Sequence, residues 1–188
     1  MTLTKQPSVY PGMLCSGIEF FAVESEMKFI ADGAIKPLRN LPSSIATIVD
    51  EAIETDLEVE TALKEWHPTS KFERRQQFLA CRFGGLDFTA DIENNKLKDG
   101  DYFECPKRAT CKFNGVLCQA PKHKGNSLTE IEIKLMKLTS TVQTNETIAI
   151  NLELALGSFH KLKQALYEKL GVQTKQEVAL IAKSLNII

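Results

Sequence analysis

Residues 165–185 read ALYEKLGVQTKQEVALIAKSL, and the parsing of this stretch decides the fold of the last third of the chain. Apolar residues recur at helical spacing as far as Leu170, where Gly171 interrupts them. Glycine accepts the left-handed backbone that ends helices, so one helix stops here. Thr174 caps the next, whose inner face is Val178, Ile181, Ala182 and Leu185. Upstream, Ser158 caps a helix over 158–170 that turns Phe159, Leu162, Leu166 and Leu170 inward. Thr144 or Asn145 caps a short helix holding Ile148, Ala149 and Leu152, and Leu154-Ala155-Leu156-Gly157 breaks it. Thr129, with Glu132 three residues on, fits a capping box ahead of Ile131, Leu135 and Leu138. The spacing predicts four helices between residues 127 and 188.

A short helix, a tight turn and a longer helix packed across it make a helix-turn-helix, whose second helix fits the DNA major groove. The order of parts resembles the LuxR-type, or GerE-type, regulatory domain. The residues that carry the resemblance are Leu128-Thr129, Glu132, Asn145, Ile148-Ala149 and Lys169-Leu170-Gly171-Val172, all in register without a gap. The match covers residues 128–182. Three departures stand out. Where the family usually has basic residues in its first helix, Glu130, Ile131 and Ile133 stand here. The family's glycine-isoleucine-serine turn is Glu153-Leu154-Ala155 here, and its threonine-valine-lysine at the start of the reading helix is Ser158-Phe159-His160. The resemblance implies that helix 158–170 reads double-stranded DNA and that the helix over 174–185 pairs two copies into a homodimer. The DNA-contacting residues it points to are Asn145, Ser158, His160, Lys161, Lys163, Gln164 and Lys169. Among these, the lysines suit phosphates and His160 and Gln164 suit base edges, while Asn145 caps its helix or offers its amide to phosphate.

The front of the chain reads differently. The run Ile18-Glu19-Phe20-Phe21-Ala22-Val23 fits a short strand or part of a loose arm. From Ser43 or Ser44 as cap, Ile45, Ile48, Val49, Ala52 and Ile53 mark a helix; a second, over 59–66, places Leu63 and Trp66 on one side. A third, over 71–83, holds Phe72, Phe78, Leu79 and Cys81 and stops at Gly84-Gly85, a pair suited to positive φ. Residues 86–126 are dense in turn formers, Asp87 and Asp91 among them, and lose apolar periodicity. Such a region needs something other than a core to order it.

That region holds Cys105, Cys111 and Cys118, separated by five and six residues, with 23 residues between Cys81 and Cys105. Four thiols form a closed tetrahedral set for zinc, or hold an iron–sulfur cluster, and metal binding would then order the loop. Reduced buried thiols and two disulfides are the alternatives. The segment from Cys81 to Cys118, followed by such a helix-turn-helix, also resembles regulators found in Bacteroidetes genomes.

Net charge is −1 over 188 residues, so no overall basic excess marks a nucleic-acid partner. Residues 122–188, however, carry nine lysines against six glutamates, while 43–66 set seven acids against Lys64 alone. No apolar run reaches the ~20 residues of a membrane helix, and residues 1–15 lack the pattern of a secretory signal. The sequence thus predicts a cytoplasmic, non-membrane protein of mainly α class. Residues 1–121 form a helical and cysteine-rich domain, 122–126 a linker, and 127–188 a four-helix LuxR-type domain. No phosphate-cradling glycine loop or nucleophile–histidine setting marks an enzyme. The expected function is a sequence-specific transcription regulator. The alternative is a protein-interaction module that keeps the helix-turn-helix scaffold without binding DNA.

Overall fold

The computed structural model describes residues 9–24, 26–102 and 104–188. Residues 1–8, part of the stretch searched for a leader, Ser25 and Phe103 lie outside these. The chain divides into two compact units, Met1–Gln119 and Ala120–Ile188.

The first unit overturns the mainly α expectation, because it is built on a sheet. Strands β1 (Glu19–Val23), β2 (Glu26–Ala31) and β3 (Ala34–Pro37) form an antiparallel meander. Between β2 and β3 the chain turns through Asp32 and Gly33, both at positive φ (54° and 74°). A two-residue turn of that hand matches the twist of paired strands, which is why Asp-Gly is a strong hairpin signal. Phe20 and Phe29 stand opposite each other, both fully buried. With two short hairpins described below, the protein is mixed α and β.

Three helices cover the sheet: α1 (Ser43–Thr55), α2 (Leu57–Trp66) and α3 (Lys71–Arg82). They bury Ile45, Val49 and Ile53, then Val59, Ala62 and Leu63, then Phe78 and Leu79. Phe83 joins the two layers, its ring 6.4 Å from Phe20 and 6.0 Å from Phe78. Asp56 and Ser70 cap α2 and α3 by accepting from the amides of Val59 and Glu73. α1 begins after Pro42 with no side-chain cap, so neither Ser43 nor Ser44 serves. Gly84 and Gly85 are absent from the positive-φ positions, and α3 ends instead with the Phe83 amide donating to Leu79. Trp66 and Phe72 are 37% and 40% exposed, so Trp66 does not share the buried side of α2 with Leu63. Arg75 makes a two-pronged contact with Asp50, at 3.0 and 2.7 Å, that ties α3 to α1.

The long segment after α3 is not without a core. β4 (Ile92–Glu93) and β5 (Lys96–Leu97) pair across Asn94 and Asn95, and Ile92, Phe113 and Leu117 are buried in the same cluster as the sheet phenylalanines. These isolated apolar anchors have no period, so the sequence reading saw only turns.

In the second unit residues 122–126, read as a linker, belong to a hairpin: β6 (Lys122–His123) and β7 (Asn126–Ser127) pair across Lys124 and Gly125, both at positive φ. Helices α4 (Glu130–Thr139), α5 (Asn145–Asn151), α6 (Leu156–Leu170) and α7 (Lys175–Ser184) follow. Capping boxes at Thr129–Glu132 and Thr174–Glu177 start α4 and α7, and the Thr144 hydroxyl caps α5. α6 ends as expected at Gly171, φ 70°, where the Val172 amide reaches back to the Tyr167 carbonyl at 3.0 Å. Its start differs: the helix opens at Leu156, after Ala155, and Ser158 does not cap it. Phe159, Leu166, Leu170, Val178 and Ala182 are fully buried, and Leu162 only partly.

Candidate nucleic-acid interface and thiol cluster

α5, the turn over 152–155 and α6 form one device. The turn is closed by the Leu154 amide donating to Ala149 and the Glu153 amide to Ile150, both at 2.9 Å. Glu153 adopts φ 55°, a left-handed value that opposes an L side chain because its Cβ crowds the carbonyl.

With Phe159, Leu166 and Leu170 anchored, the opposite side of α6 is free. Ser158, His160, Lys161 and Gln164 are exposed on it. Gln164 donates to Glu168 at 3.0 Å, so its amide is lightly held. A cavity of about 590 Å³ runs beside this face between His160, Gln164, Tyr167 and Val172.

The other sequence-predicted residues are engaged within the unit. Lys169 is not a surface cation: its Nζ lies 2.7 and 3.0 Å from the two carboxylate oxygens of Glu132, with only 24% of the lysine side chain exposed. Burial would push Glu132 up, but the bonds from Lys169 and Thr129 outweigh it and hold the carboxyl below its ordinary range. Lys163 leans over the Tyr167 ring, 5.3 Å from its centroid, and donates to Asn145 at 3.4 Å. Asn145 is therefore the first residue of α5 and a tether for α6, while Thr144 is the cap. Two further lysines stabilise chain ends: Lys124 donates to the Leu170 carbonyl and Lys175 to that of Gln143.

In the first unit α3 presents Cys81 to Cys118, which is buried at the end of a turn closed by the Gly115 amide on the Cys118 carbonyl. All five cysteines are free thiols, so the disulfide alternative has no support. A hydrogen bond from Cys118, helped by one from Gln77 (3.2 Å), holds the Cys81 thiol below its usual value against burial. The same bond, then burial, pushes the Cys118 thiol up, while the charges of Arg108 and Arg82 act the other way. Cys105 and Cys111 are close enough for their charges to act on Cys81. Cys105 and Cys111 each begin a tight turn, closed by the amides of Arg108 (3.0 Å) and Asn114 (3.1 Å). Cys81 and Cys118 are thus hydrogen-bonded, while Cys105 and Cys111 act on Cys81 only through charge. Among the described residues, however, no group of three His, Cys, Asp or Glu side chains is set to hold an ion.

One cluster was missed. Asp87 and Asp91, read as turn residues, lie beside Glu19 and Asp101, and Asp91 is only 2% exposed. Its Oδ2 accepts from the Phe20 amide at 2.6 Å, across a separation of 71 residues. No local pattern signals a pairing so distant in sequence.

No family model matches the chain, and no curated protein or solved structure is significantly similar to it. Among the described residues, no helix is long and apolar enough to cross a membrane.

Proposed function

We propose that the second unit binds double-stranded DNA in the major groove through the exposed side of α6, and that the protein is a sequence-specific transcription regulator. The observation that carries this reading is the division of α6. Phe159, Leu166 and Leu170 fix it from one side, and the other leaves His160, Lys161 and Gln164 uncovered in a row. In this reading Lys161 holds a phosphate, and His160 and Gln164 meet base edges. Glu153 at φ 55° supports the same reading, since the LuxR-type turn it resembles uses glycine there. Leu180, 69% exposed on α7, supports pairing of two copies through that helix, because a homodimer would cover it.

The test is fluorescence anisotropy on a pool of random duplexes over a salt series. The log of the binding constant should fall linearly with log salt, and Lys161→Ala should flatten the slope by about one unit. His160→Ala with Gln164→Ala should leave that slope alone and weaken only the preferred sequence, selected from the pool, by about 1–3 kcal/mol. Absence of binding even at low salt would refute the reading and leave a module that works through protein contacts.

Within this proposal Cys81, Cys105, Cys111 and Cys118 take a soft metal, zinc or an iron–sulfur cluster, as a structural or sensing element of the first unit. The Cys81–Cys118 hydrogen bond, and the charges of Cys105 and Cys111 felt at Cys81, support it. Metal analysis and visible absorption of freshly purified protein distinguish the two, since zinc is colourless. A folded, metal-free, colourless protein would sink the metal reading without touching the DNA reading.

A further inference from the structure

The end of α2 carries a feature that neither α6 nor the thiols explain. Trp66, the single tryptophan of the chain, is 37% exposed. It is nevertheless held in place. Its indole lies parallel to the His67 imidazole, with 3° between the planes, and is tilted 34° against the Phe113 ring at 5.3 Å between centroids. His67 is itself fixed, since its amide donates to the Leu63 carbonyl and its own carbonyl accepts from Arg74, both at 2.8 Å. Phe113 belongs to the buried core of the first unit and lies in the turn closed by the Asn114 amide on the Cys111 carbonyl. An aromatic surface is thus ordered before anything touches it, and a ligand that stacks there loses little to ordering the protein.

Beside these rings lies a cleft of about 380 Å³, toward the small end of the roughly 300–1,000 Å³ typical of ligand pockets. Trp66, Phe113 and Cys111 supply its apolar wall, and Lys107, Thr110 and Lys112 its polar groups. A short 3₁₀ turn, Arg108–Thr110, sets Lys107 just before its start and Thr110 at its end. The Thr110 amide and hydroxyl both donate to the Lys107 carbonyl, at 3.1 and 3.3 Å, which ties the two together. A few polar groups converging on an aromatic wall is the usual make-up of a small-molecule site.

The charge of the rim selects the ligand. Lys107 and Lys112 stand against Glu65, a balance of +1 (2 − 1). Lys107 is exposed and forms no ion pair among the described residues. Lys112 pairs with Glu65, both side chains more than half exposed, and its ammonium lies 4.8 Å from the centre of the Phe113 ring. An exposed pair of this kind contributes little, so Lys112 is easily turned to an incoming anion. A cationic ligand, the other natural partner of an exposed indole, would meet two ammonium groups at the mouth.

We propose that this cleft binds a small planar aromatic anion. Its ring stacks on Trp66 beside Phe113, in the offset or tilted arrangement that aromatic pairs prefer, and its carboxylate or phosphate group is held by Lys107 and Lys112. The proposal rests on neither the DNA nor the thiol reading, and Cys111 enters it only as part of the wall.

The single tryptophan makes the test direct, because the isotopically labelled full chain shows one indole N–H resonance. The probes are naphthoate and adenosine monophosphate, each beside its uncharged counterpart, naphthamide or adenosine. At least one of the two anions should shift the indole resonance saturably at millimolar concentration or below, and its counterpart should bind about fivefold more weakly. A preference for naphthoate identifies a carboxylate as the group the rim accepts, and a preference for adenosine monophosphate a phosphate. Lys107→Glu, an exposed change that leaves the core untouched, should bring the anion down to the affinity of its counterpart or below without altering the counterpart. Lys64→Ala, on the same helix as Trp66 but outside the cleft, should change neither. No saturable shift with either anion, a counterpart that binds as tightly as its anion, or an anion affinity that survives Lys107→Glu overturns the proposal and leaves Trp66 as a packing residue at the surface.

Discussion

Replacing Lys169 by methionine separates stability from DNA contact. The Lys169 ammonium lies 2.7 Å from Glu132 Oε2 and 3.0 Å from Oε1. The same carboxylate accepts from the Thr129 amide at 2.7 Å and from its hydroxyl at 3.0 Å. One side chain therefore closes the first turn of α4 and holds the last turn of α6. Exposed pairs contribute roughly 0–1 kcal/mol, and breaking a fully buried one costs about 3–5 kcal/mol. With side chains 24% and 11% exposed, this pair lies between those limits, at about 2 kcal/mol. Methionine keeps the apolar stem and removes only the charge. Hydrogen exchange at the amides of Leu166 and Leu170 reads the loss within the second unit, so the first unit does not confuse the measurement. The pH dependence has a fixed sign. Glu132 is held below its ordinary value of 4.5. Its contribution is complete above that value and is lost as pH falls through the lowered folded value. The gap between wild type and Lys169→Met should close in acid. The salt slope of DNA binding should not move. Wild-type stability in the variant, or a slope reduced by a full unit, would refute the placement of Lys169 inside the unit.

Two further substitutions test local physics. Glu153→Gly should stabilise the second unit by about 1 kcal/mol, read as a raised urea midpoint at constant slope, because φ 55° opposes any L side chain; a lower midpoint would mean the Glu153 side chain contributes something the backbone does not show. Phe20→Ala should destabilise the first unit by about 3–5 kcal/mol, since Phe20 is fully buried against Phe29 and Phe83; a loss under about 1 kcal/mol would mean that the sheet is not the floor of the core.

The parts of the fold that were legible in the sequence are those set by neighbours in the chain. Thr129, Thr144 and Thr174 announce helix starts because a cap needs only an oxygen and the amide three residues on. Gly171 announces a stop for an equally local reason. Of the meander only the first strand was offered, over Ile18–Val23, although Asp32-Gly33 stood between FIA and AIK. Such strands carry few residues, and Ile30 is buried beside Phe29 rather than alternating with it, which blurs the period. Trp66 was set on the side of Leu63 because both are apolar. Nothing local shows that α2 and α3 bury other sides. The acids around Glu19 were invisible for a stronger reason: Glu19 accepts from the Asp87 amide across 68 residues, a separation that no local pattern signals.

Lysine use shows why a charge count is a poor guide to function. The nine lysines and six glutamates of residues 122–188 give +3 (9 − 6), which reads as a basic face. Yet Lys124 and Lys175 donate to backbone carbonyls, Lys163 is shared between Asn145 and the Tyr167 ring, and Lys169 is taken by Glu132. Four of the cations expected to attract a polyanion thus hold the unit together instead. On α6 that leaves Lys161 as the exposed lysine, between His160 and Gln164. A single phosphate anchor on the reading helix gives little affinity that is independent of sequence. In the proposed DNA reading, recognition would depend on what the two flanking side chains find in the groove, and on a second copy presenting the same helix one turn of duplex away. Sparse charge on α6 is therefore what a reader of sequence requires, whereas a helix with every lysine free would hold any duplex equally well.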